Sequence, residues 1–598
     1  MAGIDLGAAV TAVADQSKPT ASIQSSLQAL AEASRDPSIR ATLQPAFAGL
    51  LTRFDETTTA LDSGLQTLLL RCIGNLVSDN DANRDEIVKS GTLVRLGDCL
   101  PDMDARTRSL TSDIVVKVLF NAMKDHESSQ REAFRQKIDL RIVNYMALRA
   151  FSGEWEDTDA ELELTSDLLS MVVAHNQEEK RDVDYPSDSM SDWVWRMLRV
   201  GSYKQHDIDS FLAVSHAVSE YLRSPQMLDC VLGDRQFHAM FDLINVSTEM
   251  AKDAENEEDR RLVALFHHVL QETLADIAAR PEFQSGQSVD GSLMQMLYET
   301  CVPPPNGDPI LSTTSCLMLG NFITSDATAN ELLSRVPYKK IFAMLGISTN
   351  SAWTNAAAGL LRQLAQPAQS RKQLAADPEA LRASIGVYLN SAIADVQAAG
   401  LRLTRTLLRD QVDAVISFVT PDSERHGLQS LLAFYSTTST TIPAVRAEVV
   451  MLMTSILRTL TKLSQSNPSH AALTIFTSTP EIAEPFAFGA QFSEMPQIQS
   501  ESWLALNLLA RLPGGEAPVT GLFREEKLVE KLAGRIEEIS AALQEHVRGK
   551  DEAEVNPAWV GERDNVVILA LSLVRGGELG GEAKVRLGTA LETAGVKA

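Results

Sequence analysis

Apolar residues recur along most of this chain at positions i, i+3, i+4 and i+7. The run LQTLLLRCIGNLV, Leu65 to Val77, is one instance. RRLVALFHHVLQETLADIA, Arg260 to Ala278, and AEVVMLMTSILRTLTKL, Ala447 to Leu463, are two more. That spacing gathers apolar side chains on one side of a 3.6-residue helix, so these segments predict amphipathic or fully buried helices. Period-two alternation bounded by hairpin turns does not occur, and almost no strand is expected. Short Gly, Pro, Asn and Asp clusters punctuate the helices. The strongest is CVPPPNGDP, Cys301 to Pro309, because consecutive prolines cannot continue a helix. It predicts an N-terminal set of repeats over residues 1–300 and a C-terminal set over 310–598, strung on one continuous array. The polar stretch near 177–192 reads as an exposed, mobile insertion. GKDEAEVNPAW, Gly549 to Trp559, reads as a further break.

The helical pattern repeats. CIGNLVSDNDANRDEIVKSGTLVRL (Cys72 to Leu96) and MLGNFITSDATANELLSRVPYKKIFAML (Met318 to Leu345) have the same plan. Each is an apolar helix ending near Gly-Asn, a polar turn, a second helix, a break and a third. Asn321 and Gln363 occupy the same place 42 positions apart, and Arg362 matches Arg405 43 positions on. Later units carry Arg458-Thr459 and Trp503 with Asn507. A period of about 40–47 residues with two or three helices is the signature of armadillo and HEAT repeats. The fold expected is therefore all-α, an armadillo/HEAT-type α-solenoid. One unit alone leaves an apolar face exposed, and stacking buries it against the next.

Residues four apart on one helix of each unit share a face. The pairs are Arg71 with Asn75, Leu317 with Asn321, Gly359 with Gln363, and Trp503 with Asn507. Their amides, with Arg362, have two readings: a ladder that holds a partner, or ties between neighbouring helices. Asn75, Asn321, Arg362, Gln363, Trp503 and Asn507 are accordingly the candidate partner-binding residues.

Charge narrows the partner class. The chain of 598 residues carries a net charge of −25. Phosphate recognition needs clustered Lys and Arg, so nucleic acid and anionic membranes are not expected, and a basic partner is favoured. Acidic residues concentrate in GEWEDTDAELELTSD, with Glu154, Glu156, Asp157 and Asp159, and in KDAENEEDRR, with Glu255, Glu257 and Glu258. Each concentration is either a solvated helix start, where carboxylates suit the dipole, or a docking surface for a polybasic segment. Five cysteines without CxxC spacing make a disulfide framework or zinc site unexpected. The N-terminal stretch lacks the features of a signal peptide, and no run of 18 uncharged apolar residues is present, so no membrane insertion is expected and a cytoplasmic protein is.

No catalytic constellation emerges. GxxxxGK[ST], GxGxxG after a strand, GxSxG and HExxH are all absent. His267 and His268 are adjacent and cannot share a helix face. The expectation is a protein that does no covalent chemistry and needs no cofactor.

The segments GNLVSDNDANRDEIVKSG, GNFITSDATANELL and NAAAGLLRQLAQPAQSRKQL resemble the armadillo proteins called small-GTPase GDP dissociation stimulators (SmgGDS). VQAAGLRLTRTLL, SWLALNLLARL, FREEKLVEKL and NVVILALSLVRGG follow in the family's order. The resemblance covers the C-terminal half and one repeat near residues 65–100, and little between about 105 and 300. It implies binding of Rho- and Ras-type GTPases with a polybasic, prenylated tail, acting as chaperone or scaffold, and in some members stimulating GDP release. It also implies partner contacts at the asparagine positions matched here by Asn321 and Gln363, the latter a longer amide. In the family an electronegative surface receives the basic tail. The alternative is an armadillo adaptor or folding-chaperone scaffold for another protein. An importin-like adaptor would repeat a Trp–Asn pair through successive units, and only Trp503 with Asn507 fits.

Overall fold

The structure, a computed structural model, describes residues 5–15, 17–57, 63–101, 111–152, 159–175, 195–200, 208–222, 234–304, 309–421, 427–438, 443–549, 557–576 and 579–597. Every regular element among these residues is a helix. The insertion expected near 177–192 and most of the break at 549–559 lie outside the described residues.

The chain forms two compact units, Met1–Leu293 and Met294–Ala598, and the proline run from Cys301 falls inside the second. Each unit is an α-solenoid. In the first, one helix of each repeat packs on its counterpart in the next, giving the series α1 (Gln24–Ala33), α2 (Ser63–Val77), α3 (Ser112–Met123), α4 (Asp159–Val173), α5 (Ile208–Leu222) and α6 (Glu257–Ala278). The second unit repeats the arrangement with α7 (Ile310–Phe322), α8 (Ser351–Leu364), α9 (Ala394–Leu408), α10 (Pro443–Ser466), α11 (Pro496–Arg511) and α12 (Pro557–Arg575). Shorter helices bridge the steps of each ladder. Between α7 and α8, for example, run Asp326–Leu333 and Tyr338–Leu345.

Local chemistry sets the boundaries of these repeats. Asn80, Ser325 and Asn350 cap the helices that follow them, accepting from the backbone N–H of Asn83, Thr328 and Trp353 at 3.2, 3.1 and 2.8 Å. Each satisfies an N–H that the first turn leaves without a partner. Two residues past the ends of α2, α3 and α9 stand Asp79, Asp125 and Asp410, with φ of 58°, 56° and 59°. The left-handed conformation ends a helix, and a short polar side chain tolerates it better than most. The same device at three ladder helices marks them as copies of one repeat.

Packing makes the repeats one structure within a unit. In the second unit buried apolar side chains from Tyr388 to Ala594 form a contiguous cluster, as stacking demands. Gly400 on α9 sits where the helix Pro378–Asn390 crosses. A Cβ there would lie 2.8 Å from Val387 Cγ1 and 3.0 Å from the Tyr388 nitrogen, so only glycine permits the approach. Trp353 on α8 is fully buried, and its indole N–H donates to the Cys301 carbonyl at 3.0 Å. In the first unit Arg149, 2% exposed, pairs with Glu161 at 3.0 Å, and the Tyr145 hydroxyl donates to the same carboxylate.

Trp353→Ala removes a filled volume and a hydrogen bond together. It is expected to destabilise the second unit by about 3–5 kcal/mol, the usual range for a fully buried tryptophan, seen as an earlier denaturant midpoint by circular dichroism.

Candidate functional site

The ladder of the second unit turns one row of side chains away from the core, and the groove there is built from three successive helices. α7 supplies Leu317 and Asn321, α8 supplies Asn355, Gly359, Arg362 and Gln363, and α9 supplies Arg402. The groove encloses about 240 Å³. Asn321, Asn355 and Arg402 are exposed, while Arg362 and Gln363 are half-buried. The sequence-predicted residues Asn321, Arg362 and Gln363 are thus brought together. Gly359 leaves its floor open: a Cβ there would meet no atom within 4 Å.

Three guanidiniums crowd this groove and its margin. Arg402 Nε lies 2.7 Å from Glu448 of α10, and Arg405 Nη1 lies 3.5 Å from the other oxygen of the same carboxylate. For Arg362 no carboxylate lies within ion-pair distance among the described residues. Burial, then the charges of Arg402 and Arg405, push its pKa below the usual arginine value, with Glu448 opposing. An arginine keeps its proton regardless, so the groove holds unneutralised positive charge partly withdrawn from water.

The next groove along the ladder is larger, about 420 Å³, and includes Arg409, Asp410, Arg458, Thr459 and Lys462. Its cations are largely matched. Arg458 grips both oxygens of Glu501 on α11 at 2.7 and 2.9 Å, and Lys462 reaches Asp410 at 2.5 Å. The hydrogen bond from Lys462 holds the Asp410 carboxyl below its ordinary pKa. Arg409 donates to the Gln366 side chain at 3.1 Å. These bridges join residues one repeat apart, as the register requires.

Other candidates fall elsewhere. Asn75, in the first unit, donates to Ser34 Oγ at 3.0 Å and approaches the Ala31 carbonyl at 3.5 Å, so it ties α2 to the end of α1. Trp503 and Asn507, expected on the partner face, are 0% and 3% exposed. The correction has a simple cause. α11 is flanked by α10, α12 and the helix Glu484–Gln491, and the stripe holding positions 503 and 507 faces that packing. Glu501 and Leu508 occupy the outer side of α11 instead.

Of the acidic candidates, Glu154, Glu156 and Asp157 lie outside the described residues, and Asp159 opens α4 with its side chain also outside them. Glu255, Glu257 and Glu258 are exposed. Glu257 and Glu258 belong to the first turn of α6, capped by Asn256, which accepts from the Asp259 N–H at 2.8 Å. Carboxylates there complement the helix dipole. Acid is nonetheless unevenly spread. Residues 1–293 carry 48 Asp and Glu against 28 Lys and Arg, a net of −20, while residues 294–598 carry 31 against 26, a net of −5.

Nothing described suggests a nucleophile or a metal centre. His267 is buried against Ser247 Oγ at 2.6 Å, and His268 meets Glu272 at 3.2 Å. Burial pushes the thiols of Cys72 and Cys301 up to about 12, and burial and then Asp98 push Cys99 up to about 11. Cys230 lies outside the described residues. No group of three His, Cys, Asp or Glu among the described residues is placed to hold a metal. No described helix is long and apolar enough to cross a membrane.

Sequence reading did not single out Asn355, Arg402 or Glu448. The signal was present for the arginines: Arg402 and Arg405 follow at i and i+3 on one helix, and Arg409 stands just past its end.

No family model matches the chain, and no curated protein matches it in sequence. Among solved structures, one described by the interaction between cadherin and β-catenin and its phosphorylation switch is 12% identical over 95% of this chain and 100% of its own, with a TM-score of 0.46. An engineered protein is 16% identical over 76% of this chain and 99% of its own, with a TM-score of 0.37. A second engineered protein is 16% identical over 44% of this chain and 97% of its own, with a TM-score of 0.30. At that degree of overlap the fold rests on the helix packing described above.

Two outcomes test this description of the site. Gly359→Ala adds a methyl group to open space inside a helix, and is expected to stabilise the second unit by about 0.5–1 kcal/mol, read from urea unfolding. Native protein treated with maleimide is expected to leave Cys72, Cys301 and Cys316 unmodified by peptide mass spectrometry, with labelling only after denaturation, because buried thiols form little thiolate.

Proposed function

We propose that this chain is a non-catalytic, cytoplasmic binding protein for a small GTPase of the Rho/Ras superfamily with a basic, prenylated tail. It acts as a chaperone or scaffold and stimulates GDP release. The observation that carries the reading is the groove of α7, α8 and α9, where Asn321, Gln363 and Arg362 meet around open space. The resemblance of these repeats to the GDP dissociation stimulators supplies the partner class. The charge of −20 on residues 1–293 supports attraction of a basic tail to that unit.

Exchange on such a surface needs no general base and no nucleophile. A partner held more tightly in its nucleotide-poor shape than in its GDP-bound shape shifts toward the former, and GDP leaves faster. The amides and the arginine provide directional bonds to a partner's backbone and carboxylates. Burial of Trp503 and Asn507 speaks against the importin-like adaptor, which would need that pair exposed.

A panel of purified Rho- and Ras-type GTPases, with and without basic tail and prenyl group, tests the proposal at two salt concentrations. The expected result is micromolar or tighter binding to at least one member, weakened by salt and by tail removal. The double variant Asn321→Ala with Gln363→Ala is expected to lose about 30-fold in affinity, as two polar contacts of about 1 kcal/mol each predict. Absence of binding across the panel overturns the small-GTPase reading and leaves the solenoid as it is.

A further inference from the structure

We propose that the groove of the second unit is a receptor for an extended acidic segment of a partner protein, with Arg362 as its central anion contact. This deepens the GTPase reading and rests on the same groove: that reading gives its amides and arginine to a partner, and the present one names the charge and form of the segment they take.

The sign of the site decides its ligand. Arg362, Arg402 and Arg405 oppose a single carboxylate, Glu448, which Arg402 and Arg405 share. In the neighbouring groove Glu501 and Asp410 answer Arg458 and Lys462. Arg362 lacks an answering carboxylate in the described residues, and in the neighbouring groove Arg409, which has none either, is bonded to Gln366. A guanidinium binds a carboxylate through two parallel N–H donors, and partial burial strengthens that bond. A basic segment would meet like charge here.

The spacing also points to a form of ligand. Packed helices lie about 8–10 Å apart, so a segment crossing the groove from α7 over α8 to α9 meets a new helix at that interval. A polyproline II strand advances about 3.1 Å per residue with three residues per turn, which returns a side chain to the same face every ~9 Å. Carboxylates at every third position would therefore face successive helices. Such a strand leaves its own N–H and C=O groups unpaired, and Asn355 and Gln363 lie beside the path as amides able to bond them. A polyphosphate chain is less favoured, because it has no N–H to donate to the amide oxygens of Asn355 and Gln363.

The test uses the full chain and a fluorescein-labelled peptide of five Glu-Pro-Ala repeats, with a matching Lys-Pro-Ala peptide and a single-stranded oligonucleotide, followed by anisotropy at low and moderate salt. Two variants separate charge from folding. Arg362→Gln removes a cation that has no ion pair to orphan. Gly359→Glu installs a carboxylate one turn before Arg362, in space the structure leaves empty. Circular dichroism melts confirm that both fold. The Glu peptide is expected to bind wild type and to lose about tenfold or more in each variant, the size of one charged hydrogen-bonded contact. The Lys peptide is expected to lose affinity in neither variant. Equal binding of the Glu peptide to wild type and both variants, no binding at all, or tighter Arg362-dependent binding of the oligonucleotide overturns the proposal. No GTPase enters this assay, so its failure and failure of the GTPase panel are read separately.

Discussion

Everything in this molecule depends on one constraint: a repeat of three short helices cannot bury its own apolar stripe. A lone pair or triplet of helices of this length loses more conformational entropy than its few contacts return. Placed against the next repeat, the same stripe becomes interior. The ladders α1 to α6 and α7 to α12 are the physical result, and their step length is the length of chain needed to complete one repeat. The tightest crossing, where Gly400 lets α9 approach the helix Pro378–Asn390, shows how little tolerance the steps allow. Since packing consumes one side of each ladder helix, the other side is free to carry polar groups at fixed intervals.

This constraint explains what could be read from the sequence. Helix type followed from the 3.6-residue period, and repetition followed from the 42- and 43-residue offsets that align Asn321 with Gln363 and Arg362 with Arg405. The same offsets placed Asn321, Arg362 and Gln363 in one groove. Depth was not readable. Trp503 and Asn507 share a stripe with each other, as spacing of four requires, but spacing does not say which stripe of a helix flanked on several sides turns inward. Asn75 was correctly given two readings, and its partners Ser34 and Ala31 come from a helix more than 40 residues earlier, which no local pattern reveals. Ion pairs such as Arg458 with Glu501 are legible only once the register is known.

Net charge proved the coarsest guide. A value of −25 favoured a basic partner, yet residues 294–598 hold only −5 of it, and the groove row on α8 and α9 carries arginines. Charge acts over roughly a Debye length, about 8–10 Å at ordinary salt, so a ligand in a groove responds to the groove and not to the total. The two facts are compatible. The proposed attraction of a basic tail to the first unit and the proposed recognition of an acidic segment in the second would operate at different distances and on different parts of a partner.

The position of Gly359 completes the case for the groove. A glycine inside a helix costs about 1 kcal/mol relative to alanine, and is usually retained because a neighbour presses on it, as at Gly400. Nothing presses on Gly359. One turn later stands Arg362, whose charge no described carboxylate neutralises and whose burial works against it. A glutamate at position 359 would ease both departures, pairing at i, i+3 with the arginine and replacing the glycine by a better helix former. The chain instead keeps an open floor and an unanswered cation at the same point. Gly534, Gly561 and Gly588 also stand open inside helices, so what distinguishes this point is that the open space lies beside the cation. The proposed acidic segment fits that juxtaposition, since its carboxylate would fill the space that Gly359 leaves and meet the charge that Arg362 carries.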